Sequence, residues 1–312
     1  MLTPLFLVPL VLPFLLGLVT HRVLGWVRPT AALWTLTVSA AILAAACVVS
    51  LGALVLTGLY LVPSFAHLNH FVRHLCTPSA HLMAGMAVLA AGSLALGGLR
   101  FGYSAVRHSR TLRATQRKVA RLPMVGDLCV IDSPRPDAYA LPGRTDRIVV
   151  TAGMLRSLRA AEREALFAHE RAHNSGRHHH FLAIAEISAH CHPALRSVRA
   201  GIRLAAELAA DEAAARAVGD RKLVAVAVAR AALASHDAGP TTRPHLALGG
   251  ATGPVSHRVA RLLTPAAPPS TGAFRGLAAV MALVVLLSVG ATVVGVLHLR
   301  HEVGEAQGVV PR

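Results

Sequence analysis

Charge is scarce in this sequence. Only 15% of its 312 residues are Asp, Glu, Lys or Arg, against about 25% in an ordinary soluble domain. Aromatic residues are scarcer still, at 4%. Lysine is nearly absent: Lys118 and Lys222 are the only two, so the basic side rests on arginine. The four cysteines, Cys47, Cys76, Cys129 and Cys191, are isolated and form no CxxC. Neither a zinc knuckle nor a disulfide framework is indicated. No basic stretch precedes the first apolar run, so a cleavable signal peptide is not expected. The first three apolar runs hold no acidic residue, which weighs against a transporter coupled to protons or cations.

What the chain does have is apolar length. Hydrophobic residues make up 54% and the mean hydropathy is +0.54. Three runs at about 2–20, 31–62 and 80–99, and a fourth at 277–298, are long enough to cross a bilayer as helices. Pro4, Pro9 and Pro13 kink the first, which membrane helices tolerate. The Gly and Ala of the third allow close helix packing. A sharp change follows. Residues 100–122 carry Arg100, Arg107, Arg110, Arg113, Arg117, Lys118 and Arg121 and no acid. The formal net charge of +16 admits nucleic acid as a partner. A basic juxtamembrane helix on anionic headgroups is the preferred reading, with no direct nucleic-acid contact expected. Basic segments 21–30 and 100–122 belong inside. This predicts extracytoplasmic N- and C-termini, an outer loop at 63–79, and a cytoplasmic region between the third and fourth spans.

That region, 123–265, has the mixed charges and turn residues of a soluble domain. LCVID (128–132) and RIVVT (147–151) read as strands, with SPRPDAYALPGRTD between them as a hairpin-like excursion. From about residue 160 the pattern is helical. Residues 266–276 read as a linker, and 299–312 as a short extracytoplasmic tail.

The chemistry concentrates in FAHERAHNSGRHHHF (167–181). His169-Glu170-Arg171-Ala172-His173 is HExxH, preceded by helix formers. Residues four apart on a helix share a face, so both imidazoles can reach one zinc ion. Glu170 then stands beside the open metal position, where it can take a proton from a water whose pKa zinc lowers toward about 7. A catalytic zinc needs a third protein ligand. Glu207 is the first candidate, on a second helical run, with Asp211 four residues on. Asp211 can accept a hydrogen bond from a ligand imidazole and fix its tautomer. His178, His179, His180, His190 and His192 compete for the third place. The three consecutive histidines read most simply as a solvated surface patch, because Gly176 weakens a continuation of the helix.

At these residues the sequence resembles the BlaR/MecR-type integral-membrane zinc metallopeptidases, relatives of the HtpX and CAAX-protease type membrane peptidases. DAYALPG (137–143), RIVVTAGMLRSL (147–158), AHERAH (168–173), HPALRSV (192–198) and ELAADEAA (207–214) carry the resemblance. It implies a mostly α membrane protein with about four transmembrane helices and a cytoplasmic α+β zincin-like domain with a small hairpin or sheet. It also implies zinc ligands His169, His173 and Glu207, general base Glu170, and Asp211 as the acid that follows the ligand glutamate. The strand pair at 137–151 would lie over the cleft. Three departures stand out. His178 replaces an Asp that the antibiotic sensors often carry, Ala210 replaces a frequent Cys, and no SxxK penicillin-binding domain follows the fourth span. Sensing of β-lactams through that domain is therefore not expected.

The expected activity is zinc-dependent endopeptidase cleavage of a cytoplasmic or membrane-proximal protein, with a transcriptional repressor or a membrane protein as substrate. Signalling and membrane-protein quality control are both open roles. A non-catalytic zinc-binding scaffold or sensor is the rival class. A motif inside the bilayer is disfavoured, because Arg163, Glu164, Arg171 and Arg177 flank it and charge at bilayer depth is costly.

Overall fold

In a computed structural model of the chain, residues 3–59, 80–143, 146–237, 254–264 and 271–306 are described. The expected 63–79 loop, most of the linker at 266–270 and the end of the tail at 307–312 lie outside the described residues.

Helices α1 (Thr3–Trp26), α2 (Pro29–Leu59) and α3 (Ala80–Val119) open the chain. The sheet strands follow as β1 (Met124–Val125), β2 (Leu128–Ile131), β3 (Ala138–Leu141) and β4 (Arg147–Thr151). Then come α4 (Ala152–Ser157), α5 (Ala160–Ser175), α6 (His178–Cys191), α7 (Leu195–Val218), α8 (Arg221–Asp237), α9 (Val255–Leu263) and α10 (Thr271–Ala306). Among the described residues, four helices are long and apolar enough to cross a membrane, at Phe6–Trp26, Pro29–Leu59, His81–Val119 and Ala278–Gly295.

Helix α1 runs through Pro9 and Pro13. Pro13 has no N–H to give the carbonyl of Pro9, four residues back. The Cys47 thiol of α2 donates to that carbonyl instead, at 3.0 Å. A lone cysteine thus repairs the helix defect of its neighbour. Pro29 opens α2 in the first helical position, where its missing N–H costs nothing. At and just beyond the other end of α1, Arg261 of α9 donates to the carbonyls of Leu24 (2.7 Å) and Val27 (3.3 Å), where a helix terminus leaves carbonyls without intrahelical partners.

The third apolar run and the basic segment expected as a separate juxtamembrane helix form one continuous helix, α3, of 40 residues. It spans about 60 Å at 1.5 Å per residue, twice the hydrocarbon thickness of about 30 Å. No proline interrupts residues 100–119, so nothing in the sequence ends the helix where the charge begins. Its last residues pack under the sheet, with Val119 buried against Cys129, Tyr139, Leu141 and Val149.

The strand order is β1-β2-β4-β3. β2 and β4, the two strands read from the sequence, are parallel neighbours. The excursion between them is more than a turn. It carries β3, which pairs antiparallel with β4 in the register Ala138↔Val150 and Leu141↔Arg147. β3 is an edge strand and packs beside α5.

Helices α1, α2, α6, α7 and α10 share a core. Leu12, Leu16 and Val23 of α1 and Leu33, Leu36 and Leu43 of α2 bury against helices α6 and α7. Phe181, Leu182 and Ala185 face them from α6, and Leu195, Val198 and Ile202 from α7. The N-terminal half of α7 thus packs on α1 and α2 and its C-terminal half on α5. Gly201 makes the first contact possible, since a Cβ there would land on the methyl of Thr20. α7 stops at Gly219, whose φ of 78° is the left-handed conformation that glycine adopts freely.

Candidate metal centre

Helix α5 starts where the Glu162 carboxylate accepts from the Arg159 backbone N–H at 3.0 Å. Glu162 also pairs with Arg230 of α8. The helix then presents Ala165, Leu166, Phe167, His169, Glu170, Ala172 and His173 to the interior. At its far end the Asn174 amide donates to the carbonyl of Arg147 in β4 (3.1 Å). Arg171, on the outer face, forms a bidentate pair with Asp127 at 2.7 and 2.9 Å. The HExxH residues are therefore anchored on a helix held at both ends.

The Nε2 atoms of His169 and His173 lie 3.1 Å apart. Glu207 of α7 places Oε2 3.6 Å from His169 Nε2 and Oε1 3.9 Å from His173 Nε2. All three side chains are buried. Among the described residues, they form the group of His, Cys, Asp and Glu side chains able to hold a metal ion. Two atoms bound to zinc at about 2.0–2.1 Å in a tetrahedron sit about 3.3 Å apart, so the donor spacing suits zinc. The set of two nitrogens and one carboxylate is also one that catalytic zinc uses. Glu170 is fully buried beside His169.

Each histidine is held from behind. Asp211 Oδ1 lies 3.0 Å from His169 Nδ1, which turns Nε2 toward the metal position. His178 Nδ1 lies 2.7 Å from His173 Nδ1. With its Nε2 turned to the metal, a neutral His173 carries its proton on Nδ1 and donates it to His178. His178 is thus buried and engaged, contrary to the expected surface patch. The reason is local. Gly176 ends α5 and Arg177 adopts a left-handed backbone with φ 50°. That reversal starts α6 with the first histidine folded back onto the site. His179 is half-buried and His180 exposed, and neither joins the ligand group. His190 and His192 lie at the far end of α6, against Phe101 of α3 and Phe14 of α1, and cannot compete as ligands.

One residue of the site is not visible as such in the sequence. Arg258 of α9 is wholly buried. It donates to Asp211 at 2.6 and 2.8 Å and pairs with Glu207 Oε2 at 2.8 Å. It is one arginine among many, in a short stretch with no acidic neighbour, and only the fold brings it to the carboxylates. Its guanidinium offsets charge that would otherwise be buried unpaired.

These contacts set the protonation states. Burial alone would push the His169 imidazole down, but its bonds to Asp211 and Glu207 outweigh that and hold it up at about 9. Burial drives His173 well below the ordinary imidazole range, helped by His169, His178 and Arg258. Burial likewise brings His178 down to about 4. Burial works against the Asp211 carboxylate, yet Arg258 and His169 overcome it and bring it down to about 2. Arg258 stays charged: burial opposes it, and Glu207 and Asp211 more than compensate.

Residues 105–192 match Peptidase family M48. The match supports a metallopeptidase hydrolase of a kind that includes membrane proteases. It contains the HExxH helix and His178, and stops before Glu207, Asp211 and Arg258. No curated protein and no solved structure matches the chain.

Proposed function

We propose that this chain is a membrane-embedded zinc-dependent endopeptidase that cleaves cytoplasmic or membrane-proximal proteins. The observation that carries the reading is the convergence of His169, His173 and Glu207 from two helices, with Glu170 buried between the histidines. His169, His173 and Glu207 would hold the metal. When bound, zinc supplies Lewis acidity, polarising the scissile carbonyl and lowering the pKa of water toward about 7. Glu170 takes the proton of the attacking water and passes it to the leaving amine. Asp211 and His178 keep the two imidazoles in the productive tautomer. Arg258 holds one Glu207 oxygen and leaves the other to face the metal position. β3, at the sheet edge beside α5, offers backbone groups with which an extended substrate pairs.

The biological role we propose is regulated proteolysis of the BlaR/MecR kind, with a transcriptional repressor or a membrane protein as substrate. The core shared by α1, α2, α6 and α7 supports a second role, membrane-protein quality control, because it holds the site close to the bilayer surface. In this reading the chain is a multi-pass protein of the plasma membrane. The site faces the cytoplasm and both termini lie outside.

The test is Glu170→Gln in full-length protein. It should keep stoichiometric zinc by elemental analysis while the cells accumulate at least one uncleaved protein relative to wild type. His169→Ala should lose both zinc and cleavage. The scaffold reading requires function to survive Glu170→Gln. An unchanged proteome together with retained function would reject the peptidase. The protein that accumulates separates the two roles.

A further inference from the structure

A second concave feature lies outside the metal centre. Between α2 and α6 runs a groove of about 520 Å³, within the range of about 300–1,000 Å³ that ligand pockets occupy. Its walls are Trp34, Val38 and Ile42 on α2 and Phe181 and Ile184 on α6. The Trp34 and Phe181 rings meet edge to face at 4.8 Å. Trp34 is 62% exposed and Val38 47%, so the lining is open along its length. Ile187 extends the same apolar face along α6.

The groove has two unlike ends. One is formed by Ser175, Gly176, Arg177 and His180, all exposed, where the HExxH helix stops and α6 begins. Among the described residues, no acidic side chain lines it. The other end, at Ile42 and Ile184, is apolar. It leads along α2 toward Val48 and Val49, which are exposed on the part of that helix suited to lipid. Trp34 is one of only two tryptophans in the chain. Tryptophan concentrates at membrane interfaces, where one part of the ring is apolar and the other wet.

We propose that this groove seats an anionic phospholipid of the inner leaflet. Its acyl chain lies between α2 and α6, and its phosphate meets Arg177 and His180 at the N-terminus of α6. An exposed apolar wall of this size is unfavourable against water and suited to acyl chains. An arginine at a mouth lined by no acid suits phosphate, even with Asp146 close enough to His179 to act on it, and a helix N-terminus adds to it. The seat abuts the catalytic helix: Ser175 and Gly176 follow His173 closely, and His178 follows Arg177 directly. A lipid there braces the turn that carries His178 onto the metal centre. The inference rests on the membrane reading above, but not on peptidase activity.

The membrane reading is checked first. Release of the full chain by carbonate extraction would overturn it, and the lipid seat with it. With the chain retained, Trp26→Phe leaves Trp34 as the sole tryptophan. The purified protein is titrated in micelles with dibrominated phosphatidylglycerol or phosphatidylcholine. Quenching of Trp34 should saturate, with a half-point about fivefold lower for the anionic lipid. Arg177→Gln should remove that preference. Inorganic phosphate should not displace the lipid, because it lacks the chain. Equal half-points, or no saturation, would make Trp34 an ordinary lipid-facing residue and overturn the seat. A photo-crosslinker at Val38 in cells should capture lipid. A protein adduct there would overturn the lipid in favour of a substrate segment.

Discussion

The ring nitrogens His173 Nδ1 and His178 Nδ1 lie 2.7 Å apart in the buried interior. This pair puts a neutral group behind the His173 imidazole. His178 still supplies an acceptor behind a ligand imidazole, and burial keeps it uncharged by bringing it down to about 4. Partners behind a metal ligand typically contribute about 10–100-fold in metal affinity. His178→Ala should therefore weaken zinc binding at least about tenfold in a chelator competition. His178→Asp should restore or exceed the wild-type affinity. Equal affinity in all three proteins would reduce His178 to a space filler.

Arg258 predicts a stability effect that depends on metal. It is the buried cation beside Asp211 and Glu207. Breaking one side of such a pair typically costs about 3–5 kcal/mol. Arg258→Gln should lower the melting temperature of zinc-free protein sharply. Added zinc should recover part of the loss, because it supplies positive charge to the same carboxylates. Arg258→Lys should not rescue fully, since one ammonium cannot serve Asp211 and Glu207 with the fork of a guanidinium. Differential scanning of metal-free and zinc-loaded protein in detergent reads both effects.

Glu162 predicts a pH effect at the start of the HExxH helix. Burial raises its carboxyl, but the Arg159 backbone N–H and Arg230 together bring it below its usual 4.5. A depressed carboxylate contributes stability that is fully present above the unfolded value and is lost as pH falls through the folded one. The contribution should be intact at pH 7 and fade below about 4.5. Glu162→Gln should cost about 1–3 kcal/mol at neutral pH. The gap between variant and wild type should close in acid. A gap that does not change with pH would contradict the assignment.

Gly201 tests whether α1 and α7 belong to one core. A Cβ at this position collides with the Thr20 methyl of α1, while the Thr20 Cβ itself is an ordinary contact away at 3.7 Å. Gly201→Ala should destabilise the protein by about 1–3 kcal/mol, the usual range for overpacking. Removing the methyl with Thr20→Ala in the same chain should recover most of it. Thermal melts of the two single variants and the double variant give the coupling directly.

Part of the candidate metal centre is legible in the sequence. His169, Glu170 and His173 are readable because a helix of period 3.6 fixes which residues share a face within one turn. Glu207 and Asp211 are readable as candidates for the same reason, on their own helix. That they, rather than His190 or His192, meet the HExxH helix is a matter of how α7 packs on α5. His178 reads as a surface residue because Gly176 signals a break but not its direction. The left-handed turn at Arg177 decides that. Arg258 gives no local signal, since its partners are 47 and 51 positions away in sequence. The β2–β4 pairing is hidden for a similar reason. Alternation of side chains marks a strand but does not say which strand lies beside it.

The sequence by itself determined the four apolar lengths, the basic stretch of 100–122 and the HExxH face. Each is a property of a continuous segment, set by hydropathy and helical period. The tertiary structure alone decided the remainder. It sets Arg258 against Asp211 and Glu207, turns His178 onto His173, lets Cys47 satisfy the carbonyl left open by Pro13, and joins α1 and α2 to α6 and α7 in one core. Most of these contacts join residues far apart in the chain, and their free energy appears only once the intervening helices have packed.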